Sequence, residues 1–235
     1  MRIGTASCGV GRRRFSAVLL AALVTLTAAV APPVEDLVVS GQIVYGKAAG
    51  ARRAATVDIL KVYAQNPIYM RMKAEGLSET DGARGSKLFA EAQAATNKAL
   101  AKAAKAARVD VITVPGGVSG GDQPIANLTQ NVIDLLPIYH VDGTVLYGST
   151  RNMRAVAQLD SDKLLAAIPE YTEYLLLSPN DASYHLLRKK FQDAFKQAVR
   201  KAARDGNYDV VAEKGAVTSR LGAVADITPQ AIAAL

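Results

Sequence analysis

The chain has 235 residues, half of them hydrophobic, with one cysteine, no tryptophan and a formal charge of +7. That length allows one or two domains, and a lone cysteine excludes a disulfide framework. Arg2 and Arg12 to Arg14 carry four of the excess charges, leaving about +3, and residues 156–235 balance ten basic against ten acidic side chains. A general polyanion surface of the kind nucleic acid needs is thereby excluded.

In the N-terminal segment, those four arginines precede an apolar run from Ala17 to Ala31 that ends in small residues. This is the layout of a secretory signal peptide. The run is shorter than the ~20 apolar residues of a membrane span. Residues 1–31 are therefore expected to be removed, with cleavage near residues 29–31 and a periplasmic destination. Pro32 disfavours cleavage after Ala31 and points to Ala29. Arg12-Arg13-Arg14-Phe15 also weakly resembles a twin-arginine signal. Cys8 lies ahead of the apolar run, so the mature chain is expected to have no disulfide and no thiol chemistry. It must rely on its core or on self-association, and no integral membrane span is expected in it.

Residues 32–55 read as a linker and a first strand, with a local basic loop at Lys47, Arg52 and Arg53 that is read as solvated. Residues 56–136 form one unit, 137–155 a linking strand, and 156–235 a second unit that restates the first. Residues 85–136 laid over 184–235 agree at 15 of 52 positions without a gap. Lys102-Ala103-Ala104 falls on Lys201-Ala202-Ala203, Asp110-Val111 on Asp209-Val210, and Gly116 on Gly215. Upstream the shift is three residues longer. There Asp58, Lys61, Pro67 and Tyr69 fall on Asp160, Lys163, Pro169 and Tyr171, and Val39–Gly46 falls on Val141–Gly148. Three blocks in one order point to tandem duplication of a roughly 100-residue unit. The expected fold class is α+β, with two small β bodies that each project an antiparallel helical hairpin.

Each unit reads as strand, helix, turn, longer helix, strand, short helix. In the second, Arg154–Asp160 is a strand and Asp162–Leu176 a helix with an apolar stripe at Leu164, Leu165, Ile168, Tyr171 and Leu175. Pro169 should bend that helix or mark a true start. Ser178–Asp181 is a turn, and Asp181 or Ser183 should cap the next helix. That helix runs to about Arg204 and is stopped by Asp205-Gly206-Asn207. Tyr208–Ala212 is a strand, and Asp226–Ile232 a short helix capped by Asp226 or Thr228 with Pro229 in its first turn. In the first unit, Lys98–Arg108 is mostly Ala and Lys. Alanine favours helix but buries little area, so this stretch is expected to pack loosely or project into solvent.

Candidate chemistry is sparse. Val114–Asp122 is glycine-rich but lacks the Gly-Lys-Ser/Thr ending of a phosphate loop and reads as a flexible connection. His140 and His185 lie far apart, without cysteines or clustered carboxylates at ligand spacing. Ser178 and Ser183 near His185 lack an orienting third group. No enzyme, metal or cofactor is expected. Asp58/Asp160 and Pro67/Pro169 read as strand end and helix entry, and Tyr69/Tyr171 as packing at the hairpin base.

Several of these segments resemble one known family. Ala157–Tyr171, a strand running into a helix through Pro–x–Tyr, resembles the opening of the Skp/OmpH periplasmic chaperones, and Thr56–Tyr69 gives the same pattern. Tyr208–Val217 followed by Asp226-Ile-Thr-Pro-Gln-Ala-Ile232 resembles that family's closing strands and D-I-T helix, with a weaker copy at Val109–Ile112 and Asn127–Ile133. The resemblance implies a β body with a helical arm, self-association, and ATP-independent holding of unfolded outer-membrane proteins, with no metal. The chain departs from it in carrying two units and short arms of ~20 residues, about 30 Å at 1.5 Å per residue. Candidate client contacts are Arg188, Lys189, Phe191, Phe195 and Lys196. The competing expectation is a periplasmic structural or adaptor protein that binds one folded envelope partner.

Overall fold

The structure, a computed structural model, describes residues 37–120 and 125–235. The expected signal peptide and its cleavage region lie outside the described residues, as do Gly121 and Asp122 of the glycine-rich connection.

In chain order the first half supplies β1 (Val38–Val39), β2 (Ile43–Gly46), β3 (Ala54–Thr56), α1 (Ile59–Ala64), α2 (Pro67–Ala74) and α3 (Gly82–Ala107). It closes with β4 (Val111–Thr113), β5 (Val118–Ser119), β6 (Ala126–Asn127) and α4 (Thr129–Leu135). The second half supplies β7 (Tyr139–Val141), β8 (Val145–Gly148), a 3-10 turn at Thr150–Asn152, β9 (Val156–Leu159), α5 (Ser161–Ala166) and α6 (Pro169–Tyr174). α7 (Tyr184–Asp205), β10 (Val210–Glu213), β11 (Val217–Ser219), β12 (Ala225–Asp226) and α8 (Thr228–Ile232) follow. The class is mixed α and β, as α+β requires.

Among the described residues the halves do not share a sheet. One four-stranded sheet has the order β2-β4-β3-β6 and the other β8-β10-β9-β12. Gly46 pairs with Val111 and Gly148 with Val210, both antiparallel, while Ala54 pairs with Val111 and Val156 with Val210, both parallel. The parallel step carries the chain through the helical hairpin as a crossover. Two short ribbons, β1–β5 and β7–β11, extend the halves, with Val39 opposite Val118 and Val141 opposite Val217.

The polar residues that recur between the halves hold the same joints in each. Asp58 caps α1 by accepting from Lys61 N, and Asp160 caps α5 by accepting from Lys163 N, both at 3.1 Å. Their own amides donate to Thr129 and Thr228 Oγ1, both at 2.9 Å. Asn127 and Asp226 in turn accept from the Thr129 and Thr228 amides at 2.9 Å. The threonine therefore latches the last helix onto the end of the central strand. Asp110 takes the Arg52 and Arg53 amides at 2.9 Å each, and Asp209 those of Arg154 and Ala155 at 3.0 and 3.1 Å. Gly46 (φ +81) and Gly148 (φ +84) sit where a Cβ would strike the carbonyl of Asp110 or Asp209. Only glycine combines that φ with that approach.

Local chemistry explains where the helices differ from expectation. Over Asp162–Leu176 the true start expected at Pro169 is what forms, giving two helices, because Pro169 occupies the first position of α6 and cannot continue α5. Neither Asp181 nor Ser183 caps α7 through its side chain. The Asp181 carboxylate instead accepts from Ser178 N at 2.6 Å, as Asp81 does from Ser78 N. Past the end of α7 the left-handed residue is Asn207 (φ 53), not Gly206, and asparagine tolerates that conformation.

The largest correction concerns Lys98–Arg108. It neither packs loosely nor projects. Ala99, Leu100, Ala103, Ala104 and Ala107 are at most 2% exposed and lie against Ala55, Ile112, Val132 and Leu136. Ala198, Val199, Ala202 and Ala203 do the same for α7, against Ala157, Val211 and Ile227. Alanine offers little area, but it lets the helix axis come close enough to fill the space over a narrow sheet.

Ala203→Leu should therefore overpack the α7 seam and cost about 1–3 kcal/mol, read as a lowered midpoint in urea unfolding. Thr228→Val, which keeps the shape of the latch and removes its hydroxyl, should cost about 1 kcal/mol by the same measurement.

Candidate functional site

The two hairpins have the same chain order and different surroundings. In the first, α2 and α3 enclose Ile68, Met72, Leu88 and Ala92, flanked by Tyr63, Tyr69 and Phe89. Tyr63 lies 5.4 Å from Tyr69 and 6.1 Å from Phe89, centroid to centroid. Asn66 is fully buried and satisfied. Its Nδ2 donates to the Ala92 carbonyl at 2.9 Å and to Thr96 Oγ1 at 3.1 Å, and its Oδ1 accepts from Ile68 N at 3.0 Å.

This first hairpin is docked on the ribbon of the other half, where α2 packs against β7 and β11. Charged groups clasp the contact. Glu75 accepts from Arg71 Nε and from two guanidinium nitrogens of Arg84, each at 2.6 Å. Arg84 Nη2 also donates to Asp142 at 2.5 Å, and Arg71 Nη1 donates to the Gly215 carbonyl at 2.6 Å. Hydrogen bonds from Arg84, then Arg71, hold the Glu75 carboxyl down at about 2. His140 of β7 lies at this contact, its Nε2 buried without a hydrogen-bond partner among the described residues. Burial pushes its pKa down, against the pull of Asp142 and Glu91.

The second hairpin is bare by comparison. Tyr171 and Tyr174 pack on Phe191 at 5.2 and 4.9 Å, and the Tyr174 and Tyr184 hydroxyls are 2.6 Å apart. Beyond this aromatic base the tip exposes Leu175 (62%), Leu176 (84%) and Leu186 (56%).

The residues singled out from sequence divide into two groups. Phe191, Phe195 and Lys196 come together along a groove of about 460 Å³ between α7, β8 and α5. Val145, Leu146, Ser161, Leu165 and Gln192 complete it. Phe191 is 8% exposed, so it forms wall more than contact surface, whereas Phe195 is half-buried and Lys196 exposed. Arg188 and Lys189 are exposed on α7, outside the groove walls. Ser161 is tied down by Glu213, which accepts from its amide at 3.0 Å and from its hydroxyl. Ser178 sits in its turn and Ser183 at the α7 N-terminus, while the His185 ring meets Tyr184 edge-on at 5.4 Å.

Sequence reading missed the leucine tip and the arginine clasp. The tip had a signal in Leu175-Leu176-Leu177, three consecutive apolar residues on a helix end. The clasp had none. Its partners lie up to 144 residues apart, and Arg71, Arg84 and Asp142 fall on Glu173, Ser183 and Ser40 in the other half.

Among the described residues no group of three or more His, Cys, Asp or Glu side chains is placed to hold a metal ion. No helix among them is long and apolar enough to cross a membrane. Comparison with protein-family models, with curated proteins and with solved structures finds no match to this chain.

Because Glu75 is held as the anion in the folded protein, its contribution is complete above its ordinary value of 4.5 and is lost as pH falls to about 2. Melting temperature should fall over that window, and Glu75→Gln should flatten the fall while lowering the melting temperature at pH 7. Differential scanning calorimetry against pH measures both.

Proposed function

We propose that this chain is an exported, ATP-independent holdase of the Skp/OmpH kind, built from two copies of one unit. Its clients would be unfolded outer-membrane or other envelope proteins. The observation that carries the reading is the second hairpin. Its tip presents Leu175, Leu176 and Leu186 to solvent, and Arg188, Lys189, Lys190 and Lys196 are exposed along the same arm. Apolar residues exposed together need a partner, and basic side chains beside them favour clients with acidic segments.

Capture by this route rests on many weak contacts and uses no nucleotide. An unfolded chain keeps most of its conformational freedom when held at a few apolar points, so little ordering cost opposes binding. The groove at Phe195 and Lys196 would take an apolar client side chain with the ammonium at its rim. α7 has 22 residues, about 33 Å at 1.5 Å per residue. The arm would form one wall of a shallow cup and would not enclose a folded domain.

Duplication of the unit is supported by matching strand orders, matching aspartate and threonine joints and the paired glycines at 46 and 148. A periplasmic location rests on the N-terminal segment. A second reading, a non-catalytic adaptor for one folded envelope partner, is favoured by the clasp, which commits the first hairpin within the chain.

The test is light scattering of a denatured outer-membrane β-barrel protein diluted into buffer with the chain from residue 32. Scattering should fall and saturate near a fixed ratio. Leu175→Ser with Leu176→Ser should raise the amount required several-fold without shifting the melting temperature. Undiminished scattering in the presence of excess folded protein would leave the adaptor reading.

A further inference from the structure

The contact inside the chain is directional: the hairpin of the first half sits on the ribbon of the second. A directional contact between like units leaves two surfaces unused among the described residues, here the second hairpin and the first ribbon. Each is the counterpart of a surface already docked. On the hairpin side, Pro67 is buried and Met70 and Arg71 are partly so, while Pro169, Thr172 and Glu173 at the matching positions are exposed. On the ribbon side, His140 faces the hairpin with its Nε2 buried, and its counterpart Val38 is 54% exposed. We propose that these surfaces meet between molecules, the β1–β5 ribbon of one copy seating on the α6–α7 hairpin of a second.

The occupant follows from continuity with the contact already made. Hairpin and ribbon have the same backbone plan in both halves, with Val39 opposite Val118 as Val141 is opposite Val217. The exposed valine of this ribbon is what a buried apolar contact needs. The clasp's ion pairs have no counterpart in this second version. Arg71 and Arg84 become Glu173 and Ser183, and Asp142 becomes Ser40, whose hydroxyl can donate to Glu173. No ion pair resists separation, so the contact between copies is weaker than the clasp and depends on concentration, with little dependence on salt. Because the two surfaces differ, the contact is heterologous. It closes into a ring or continues as a chain of copies. The tip leucines at 175 and 176 are not part of it, since their counterparts Lys73 and Ala74 stay exposed in the docked hairpin.

The experiment uses the chain from residue 32, which keeps every described contact and contains no cysteine. Light scattering coupled to gel filtration should give a mass at least double the monomer's at high concentration. That mass should be unchanged by 0.5 M NaCl, an ionic strength at which surface charges are screened beyond about 4–5 Å. Val38→Glu, at an exposed position, should return it to monomer at unchanged melting temperature. Ser40→Cys and Glu173→Cys chains treated with a short bismaleimide should give a covalent dimer when mixed and none when treated separately. A monomer at every concentration without the mixed adduct overturns the proposal, as does an adduct formed by Ser40→Cys alone, which would mean a ribbon-to-ribbon contact. Holdase activity is read separately, so this proposal and the function proposed above can fail independently.

Discussion

Close approach of an alanine face to a narrow sheet is the constraint on which the rest of the molecule depends. Each half has a four-stranded sheet of very short strands, too small to form a core by itself. α3 and α7 supply the other side through Ala99, Ala103 and Ala104, and through Ala198, Ala202 and Ala203. A larger side chain at those positions would lift the helix away from the sheet and open space beneath it. Once the helix is seated, its far end must extend beyond the sheet, because 22 to 26 residues outrun strands of two to four. That overhang is thus a consequence of how the helix is anchored.

The two hairpins then diverge through the residues at their projecting ends. The first carries Arg71, Glu75 and Arg84, which close on Asp142 and a carbonyl across a fixed geometry. The second has Glu173 and Ser183 where the arginines stood, and leucines at its tip. Aromatic mass shifts along the helix in step, from Phe89 in α3 to Phe191 in α7, which aligns with Ala92. The residues that stay constant are those that hold each half together, namely the capping aspartates, the latching threonines and the glycines beneath Asp110 and Asp209. The halves differ most in what each helix pair presents outward, although the buried Asn66 and Thr96 also give way to Ile168 and Phe195 at the aligned positions.

How much of this could be read beforehand depended on whether the interaction was local. Asp58, Asp160, Pro67 and Pro169 act within a few residues of themselves, and their roles as strand end and helix entry were legible. Tyr69 and Tyr171 at the hairpin base were legible for the same reason. The strands β1, β5, β6 and β12 were not, since two-residue pairs such as Ala126–Asn127 carry no alternation to detect. The burial of Lys98–Arg108 was misread because alanine content was weighed as lost area and not as permitted closeness. Phe191, Phe195 and Lys196 meet at one groove because they share a helix face, which spacing could show. That Phe191 is wall and Lys196 rim depends on Val145 and Leu165, brought in by tertiary packing. The arginine clasp joins residues from opposite halves and has no counterpart at the aligned positions.

Charge and apolar surface are used in different places for a physical reason. Ion pairs and hydrogen bonds reward a fixed geometry and lose their value when donors and acceptors shift. They suit the contact between the halves, whose partner never changes. Apolar contact is non-directional and scales with area, so it suits a surface that must accept partners of varied shape or a copy of itself that comes and goes. The first hairpin is tied to the other half by guanidinium–carboxylate bonds. An arm built the same way at its tip would recognise one partner only. On the proposed holdase reading, an arm tipped with leucine and edged with lysine and arginine would select by composition, and would hold any one segment weakly enough for a better apolar environment to take it away.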